Sequence, residues 1–101
     1  MTDVWFKRQV QQDIARILEW YDEQQPGLGD RFVNKLGDIV DFLAVNPLAY
    51  PISYSTFRVA RLKNFPYQVF YKAYESKILI YGIFHTRRNP HSIRGSLSRR
   101  T

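Results

Sequence analysis

Val10, Ile14, Ile17, Leu18 and Tyr21 recur at offsets 0, 4, 7, 8 and 11, the spacing of one face of an α-helix. Gln11, Asp13, Arg16, Glu19 and Glu23 lie between them and are expected to face solvent. The run ends at Gln24-Gln25-Pro26-Gly27-Leu28-Gly29, where proline and glycine break the pattern. Phe32, Leu36, Ile39, Val40 and Leu43 then repeat the same offsets. Matching apolar stripes across a short joint predict an antiparallel helical hairpin. It ends by Asn46-Pro47.

Beyond a loop containing Pro51, Ser53 and Ser55, the pattern changes to that of strands. Residues 57–62, 67–74 and 78–85 are dense in β-branched and aromatic side chains. Lys63-Asn64-Phe65-Pro66 joins the first pair, and Glu75-Ser76-Lys77 is a tight hairpin connection. An opening extended segment, Val4-Trp5-Phe6, precedes the hairpin of helices. The run ILIYGIF (78–84) is apolar on both faces, so the last strand is expected to be central and covered on each side, the helices forming one cover. Strict alternation puts Leu79, Tyr81, Ile83 and His85 in one phase. The fold predicted is α+β, β-α-α-β-β-β, with the hairpin packed on one face of a small, mainly antiparallel sheet. All 101 residues are read as one domain, with residues 91–101 a flexible basic tail.

Composition adds little until charge is located. The chain has no cysteine, no opening apolar run of the signal-peptide kind and no stretch of membrane-spanning length, which points to a soluble cytoplasmic protein. Its net charge of +6 is unevenly placed. Residues 1–50 hold five Lys/Arg against eight Asp/Glu, and residues 51–101 hold ten against one, Glu75. A surface that positive calls for an acidic partner or a nucleic acid.

The candidate chemistry sits where the last strand ends, at FHTRRNP (84–90). A face carrying Arg61, Lys63, Tyr67 or Tyr71, His85 and Arg87 or Arg88 would be a basic pocket with aromatic walls, suited to phosphate or single-stranded nucleic acid. RNA cleavage would need proton transfer as a 2′-hydroxyl attacks, with cations holding the pentavalent charge. His85 is the candidate for proton transfer, Arg61, Arg87 and Arg88 for the charge, and Tyr67 for the wall. A second proton-transfer partner is not evident, because Glu75 lies at the far end of the strand. Two histidines without an acidic cluster make no metal set, and no cofactor is expected.

The phrases DIARILEWYDEQQPGLGDRF (13–32), NPLAYP (46–51), RVARLKNFPYQVFY (58–71) and IFHTRRNP (83–90) together resemble the RelE/ParE toxins of type II toxin-antitoxin modules. The resemblance runs from about residue 4 to residue 90 and implies the same β-α-α-β-β-β fold. RelE-like members cut messenger RNA in the ribosomal decoding site, whereas ParE-like members poison DNA gyrase through protein contact. The cleaving members tend to carry an arginine directly after the tyrosine of the third strand. Here Gln68 follows Tyr67, and the long hairpin with its PGLG joint also resembles the ParE branch.

What the resemblance implies is a gyrase-directed toxin with no catalytic residues, neutralised by a cognate antitoxin whose flexible acidic segment forms a hetero-oligomer with it. Partner-binding candidates are Arg58, Arg61, Lys63, Tyr71, His85, Arg87, Arg88 and Arg94. The alternative is a ribosome-dependent, metal-independent endoribonuclease acting on mRNA through His85, Arg61, Arg87, Arg88 and Tyr67. Pairing of Arg87 and Arg88 with helix acids such as Asp13 or Glu19 is the plain structural explanation for their position.

Overall fold

A computed structural model describes residues 2–101. The chain order is β1 (Asp3–Phe6), α1 (Arg8–Gln24), α2 (Leu28–Val45), β2 (Ile52–Tyr54), β3 (Phe57–Arg61), β4 (Tyr67–Ala73), β5 (Lys77–His85) and α3 (Pro90–Arg100). The strands form one sheet in the order β1-β5-β4-β3-β2, parallel only between β1 and β5. The α+β hairpin-on-sheet architecture expected from the sequence is therefore present, with β2 and α3 added to it. No helix is long and apolar enough to cross a membrane among the described residues.

The helical hairpin forms where its two stripes meet the sheet. Val10, Ile17 and Tyr21 of α1 and Phe32, Leu36 and Leu43 of α2 are buried against Val69, Tyr71, Ile78, Ile80 and Ile83. The joint turns at Gly27, whose φ of 90° is left-handed backbone open to glycine at little cost. The Gly29 N–H then donates to Asp22 Oδ1 at 2.9 Å, tying α2 back to α1. Asn64, with φ of 68°, makes the corresponding left-handed turn between β3 and β4.

Three expectations are corrected. Asp13, assigned to solvent, is only 2% exposed. It lies three residues after Val10, inside the apolar stripe, and folding turns that stripe inward. Second, the pairing of β4 with β5 shifts register between Phe70 and Tyr71, so that Phe70 faces Gly82 while Tyr71 faces Ile80. The extra residue is Tyr81, and such a bulge moves neighbouring side chains to opposite faces. Ile83 consequently packs under the hairpin while Tyr81 packs with Phe57, Phe70 and Phe84 on the other side.

Third, residues 91–101 are not a frayed tail. Asn89 caps a helix, its side chain accepting from the His91 N–H at 2.8 Å, and Pro90 occupies the first turn, where a missing N–H costs nothing. Ile93 and Leu97, one turn apart, are 3% and 2% exposed and cover Phe57, Phe70, Tyr81 and Phe84. This is the second cover that the doubly apolar β5 requires.

Candidate functional site

The end of β5 lies beside the start of β4, where His85 pairs with Tyr67. Their rings meet edge-on at 5.2 Å between centroids. Tyr67 is braced from behind by Phe32 at 5.7 Å and Tyr21 at 6.2 Å, so the core of the hairpin fixes its orientation. Burial raises the Tyr67 pKa above the ordinary phenol value, and raises that of Tyr21, with Tyr67 adding to the shift. Tyr67 is therefore a neutral phenol at any physiological pH.

Helix α1 supplies the opposite wall. Trp20, 54% exposed on the otherwise polar side of the helix, stands on Tyr21 edge-on at 5.1 Å. One turn earlier, Arg16 Nη2 donates to Asp13 Oδ1 at 2.8 Å. Together Asp13, Arg16, Trp20, Tyr67, His85 and Arg88 line a recess of about 280 Å³. A second recess of about 290 Å³ adjoins it across Trp20, Tyr67 and His85.

The protonation pattern of this recess follows from its hydrogen bonds. The Arg87 N–H donates to His85 Nδ1 at 3.0 Å. Neutral His85 must then carry its proton on Nε2, which leaves it a donor to anything in the recess. Asp13 accepts from Arg100 through both oxygens, at 2.6 and 2.9 Å, from Arg16, and from the Ile83 N–H at 3.2 Å. Its lone pairs are filled. The recess thus offers donors and aromatic surface.

Arg88 does not pair with Asp13 or Glu19 through a hydrogen bond. Its Nε donates to Ser92 Oγ at 2.9 Å and its Nη2 to Ser96 Oγ at 2.6 Å, while the guanidinium lies 4.5 Å from the Phe84 ring centre. Burial lowers its pKa from the usual guanidinium value, and the Asp13 charge opposes that shift. Arg88 therefore anchors α3 as well as lining the recess. Arg87 beside it is exposed.

The remaining sequence candidates lie elsewhere. Tyr71 is fully buried, its hydroxyl donating to Pro47 O at 3.1 Å, and burial raises its pKa. Arg58 Nη1 donates to Tyr50 O at 2.6 Å. Arg61 and Lys63 line a separate recess of about 270 Å³ with Lys35, Asp38 and Phe42. Arg94 is exposed on α3. The expected single pocket therefore resolves into Tyr67, His85 and Arg88 on one side, with Arg61 and Lys63 grouped apart and Tyr71 inside the core. Asp13, Arg16, Trp20 and Arg100 were not among the candidates; a tryptophan on a polar helix face and an aspartate within an apolar stripe were the available signals.

Comparison with known proteins agrees with this fold. The family model described as ParE toxin of type II toxin-antitoxin system, parDE, matches residues 4–90. The chain belongs to the ParE toxin family. Among solved structures, a chain of the chromosomal ParDE TA system from P. aeruginosa superposes with a TM-score of 0.74 at 20% identity, covering 84% of this chain and 96% of that one. No curated protein matches by sequence. The ParE family match ends at Pro90, where α3 begins.

Proposed function

We propose that this ParE toxin inhibits DNA gyrase by protein contact and is held inactive by an acidic antitoxin. The observation that carries the reading is the bond from the Arg87 N–H to His85 Nδ1. A nuclease of this fold needs a group that takes the 2′-hydroxyl proton. His85 presents Nε2–H, Tyr67 stays a neutral phenol and Asp13 is filled by Arg100, Arg16 and Ile83. The side chains lining the recess therefore favour recognition over proton abstraction. An exposed tryptophan flanked by arginines is the usual composition of a protein-binding anchor. Gln68, where the cleaving relatives tend to carry arginine, points the same way.

The test is purified protein added to gyrase and relaxed plasmid. Loss of supercoiling, with or without cleaved DNA, is expected. Undisturbed supercoiling together with transcript cleavage in a translating extract would replace this reading with the ribosome-dependent one. Neutralisation is tested separately, by restoration of supercoiling when a candidate cognate antitoxin is added.

A further inference from the structure

The recess at the end of β5 holds more positive charge than the fold consumes. Arg100 and Arg16 both bind the Asp13 carboxylate, and Arg88 lines the same recess from beside Phe84. One carboxylate therefore answers three guanidinium groups. Arg88 feels the imbalance: burial and the charges of Arg100, Arg16 and Arg99 lower its pKa, and Asp13 alone opposes them. A cation under that pressure is stabilised by an incoming anion.

Two of the three cations have donors to spare. Arg16 commits only Nη2, to Asp13, and its side chain is 64% exposed. Arg88 commits Nε and Nη2 to Ser92 and Ser96, and its Nη1 has no hydrogen-bond partner among the described residues. Arg100 is different, because Asp13 and Tyr81 O occupy both of its terminal nitrogens and it does not line the recess. The adjoining recess shares Trp20, Tyr67 and His85 with the first and adds Tyr21 and Pro66. No lysine, arginine or carboxylate lines it, and the exposed Glu19 and Glu23 of α1 line neither recess.

This division into a cationic half and an aromatic half selects among anions. A nucleic-acid strand brings a charge with every nucleotide, and its next phosphate would meet only aromatic surface. A single carboxylate beside an apolar side chain matches both halves, since arginine forks pair with carboxylate oxygens and Trp20 and Tyr67 offer flat apolar area. We propose that the double recess is the socket for one acidic side chain of the target protein, an aspartate or glutamate next to an apolar residue. Its carboxylate sits between Arg16 and Arg88, its apolar neighbour lies on Trp20 and Tyr67, and His85 is a side wall. The inference rests on the gyrase reading for the identity of the target, and on the recess for the chemistry of the contact.

The test measures binding of DNA-free gyrase to the immobilised full chain. The parent is expected to bind, more weakly as salt rises. Arg16→Gln should weaken binding about tenfold and Arg16→Glu about a hundredfold. Lys35→Glu makes the same charge reversal in the separate recess on α2 and should stay within about threefold. Asp13 keeps Arg100 and the Ile83 N–H in the Arg16 variants, and melting curves verify their fold. Unchanged binding by Arg16→Glu overturns the proposal, and so does an equal loss in Lys35→Glu, which would reduce the effect to net charge. A duplex oligonucleotide that binds the parent but not Arg16→Glu would assign the anion to phosphate and overturn it as well. A second measurement leaves gyrase out. Trp5 and Trp20 are the only tryptophans, so Trp5→Phe makes Trp20 the sole reporter indole. The probe acetyl-Leu-Glu-Leu-amide should shift Trp20 emission at millimolar concentration, and its glutamine copy should not; equal behaviour of the two overturns the carboxylate. Absence of gyrase binding by the parent, with this peptide response intact, is instead a failure of the gyrase reading.

Discussion

Asp13 and Arg100 stand 87 positions apart and meet through both carboxylate oxygens, at 2.6 and 2.9 Å. The pair joins the second turn of the first helix to the end of the last one. Asp13 is 2% exposed and the Arg100 side chain 9%, so neither charge is relieved by water. Arg100 also donates to Tyr81 O and lies 5.1 Å from the Phe84 ring centre, which ties it to the bulge in β5. A buried carboxylate deprived of its main cation costs about 3 kcal/mol or more. Arg16 and the Ile83 N–H remain, which sets Arg100→Ala near the lower bound. Urea unfolding should show a loss of about 3 kcal/mol, and Asp13→Leu combined with Arg100→Met should cost less than Arg100→Ala alone.

The helical hairpin was legible because its stripes obey helical spacing over many residues and, Asp13 apart, bury apolar side chains. Asp13 escaped notice because a polar residue is assigned outward unless a counter-charge is known, and its counter-charge lies at the other end of the chain. The terminal helix carries only Ile93 and Leu97 as apolar residues, too few for a periodic signal, although Asn89-Pro90 is a helix start in chemical terms. The bulge at Tyr81 was hidden because ILIYGIF is apolar on both faces, so a slip in phase leaves no polar residue misplaced. Of the site, the sequence placed Tyr67 beside His85 through simple strand alternation. It grouped Arg61 with them on charge alone.

Gly82 opens the space in which this arrangement packs. A Cβ there would lie 2.5 Å from the Phe84 ring and 3.1 Å from Arg100 Nη1. The Phe84 ring cannot swing aside without leaving Phe70 and the arginines on either side of it. Gly82→Ala is therefore expected to cost about 2 kcal/mol by overpacking. Urea unfolding measures the loss, and a changed near-ultraviolet circular dichroism spectrum would locate it in the aromatic cluster.

Alkaline pH should unlatch the same cluster. Burial, with a hydrogen bond to Tyr74 and that residue's charge, pushes the Tyr81 pKa up to about 12 from the ordinary phenol value of 10.0. The folded state then keeps a proton that the unfolded chain has released. The stabilisation is complete below about pH 10 and is lost as pH rises through about 12. Unfolding free energy measured from pH 9 to 12 should fall over that window, and Tyr81→Phe should flatten part of the fall. A fall of unchanged size in Tyr81→Phe would place the effect in other tyrosines.

His85 separates the contact reading from the nuclease reading. In the contact reading His85 acts as a fixed wall, its Nδ1 held by the Arg87 N–H. Asparagine places an acceptor oxygen where Nδ1 sits, so His85→Asn can keep that bond while removing any imidazole proton chemistry. Gyrase inhibition by His85→Asn should stay within about threefold of the parent, whereas in the nuclease reading loss of a general acid or base would cut transcript cleavage on the order of a hundredfold or more. Trp20→Ala removes an exposed anchor and should weaken inhibition about thirtyfold. Both variants should keep the parent's melting temperature to within a few degrees, because neither side chain is buried. Dose-response curves for supercoiling, run with melting curves on the same preparations, give the comparison. A hundredfold loss of inhibition in His85→Asn with the fold intact would make the imidazole itself a gyrase contact and overturn its role as a fixed wall.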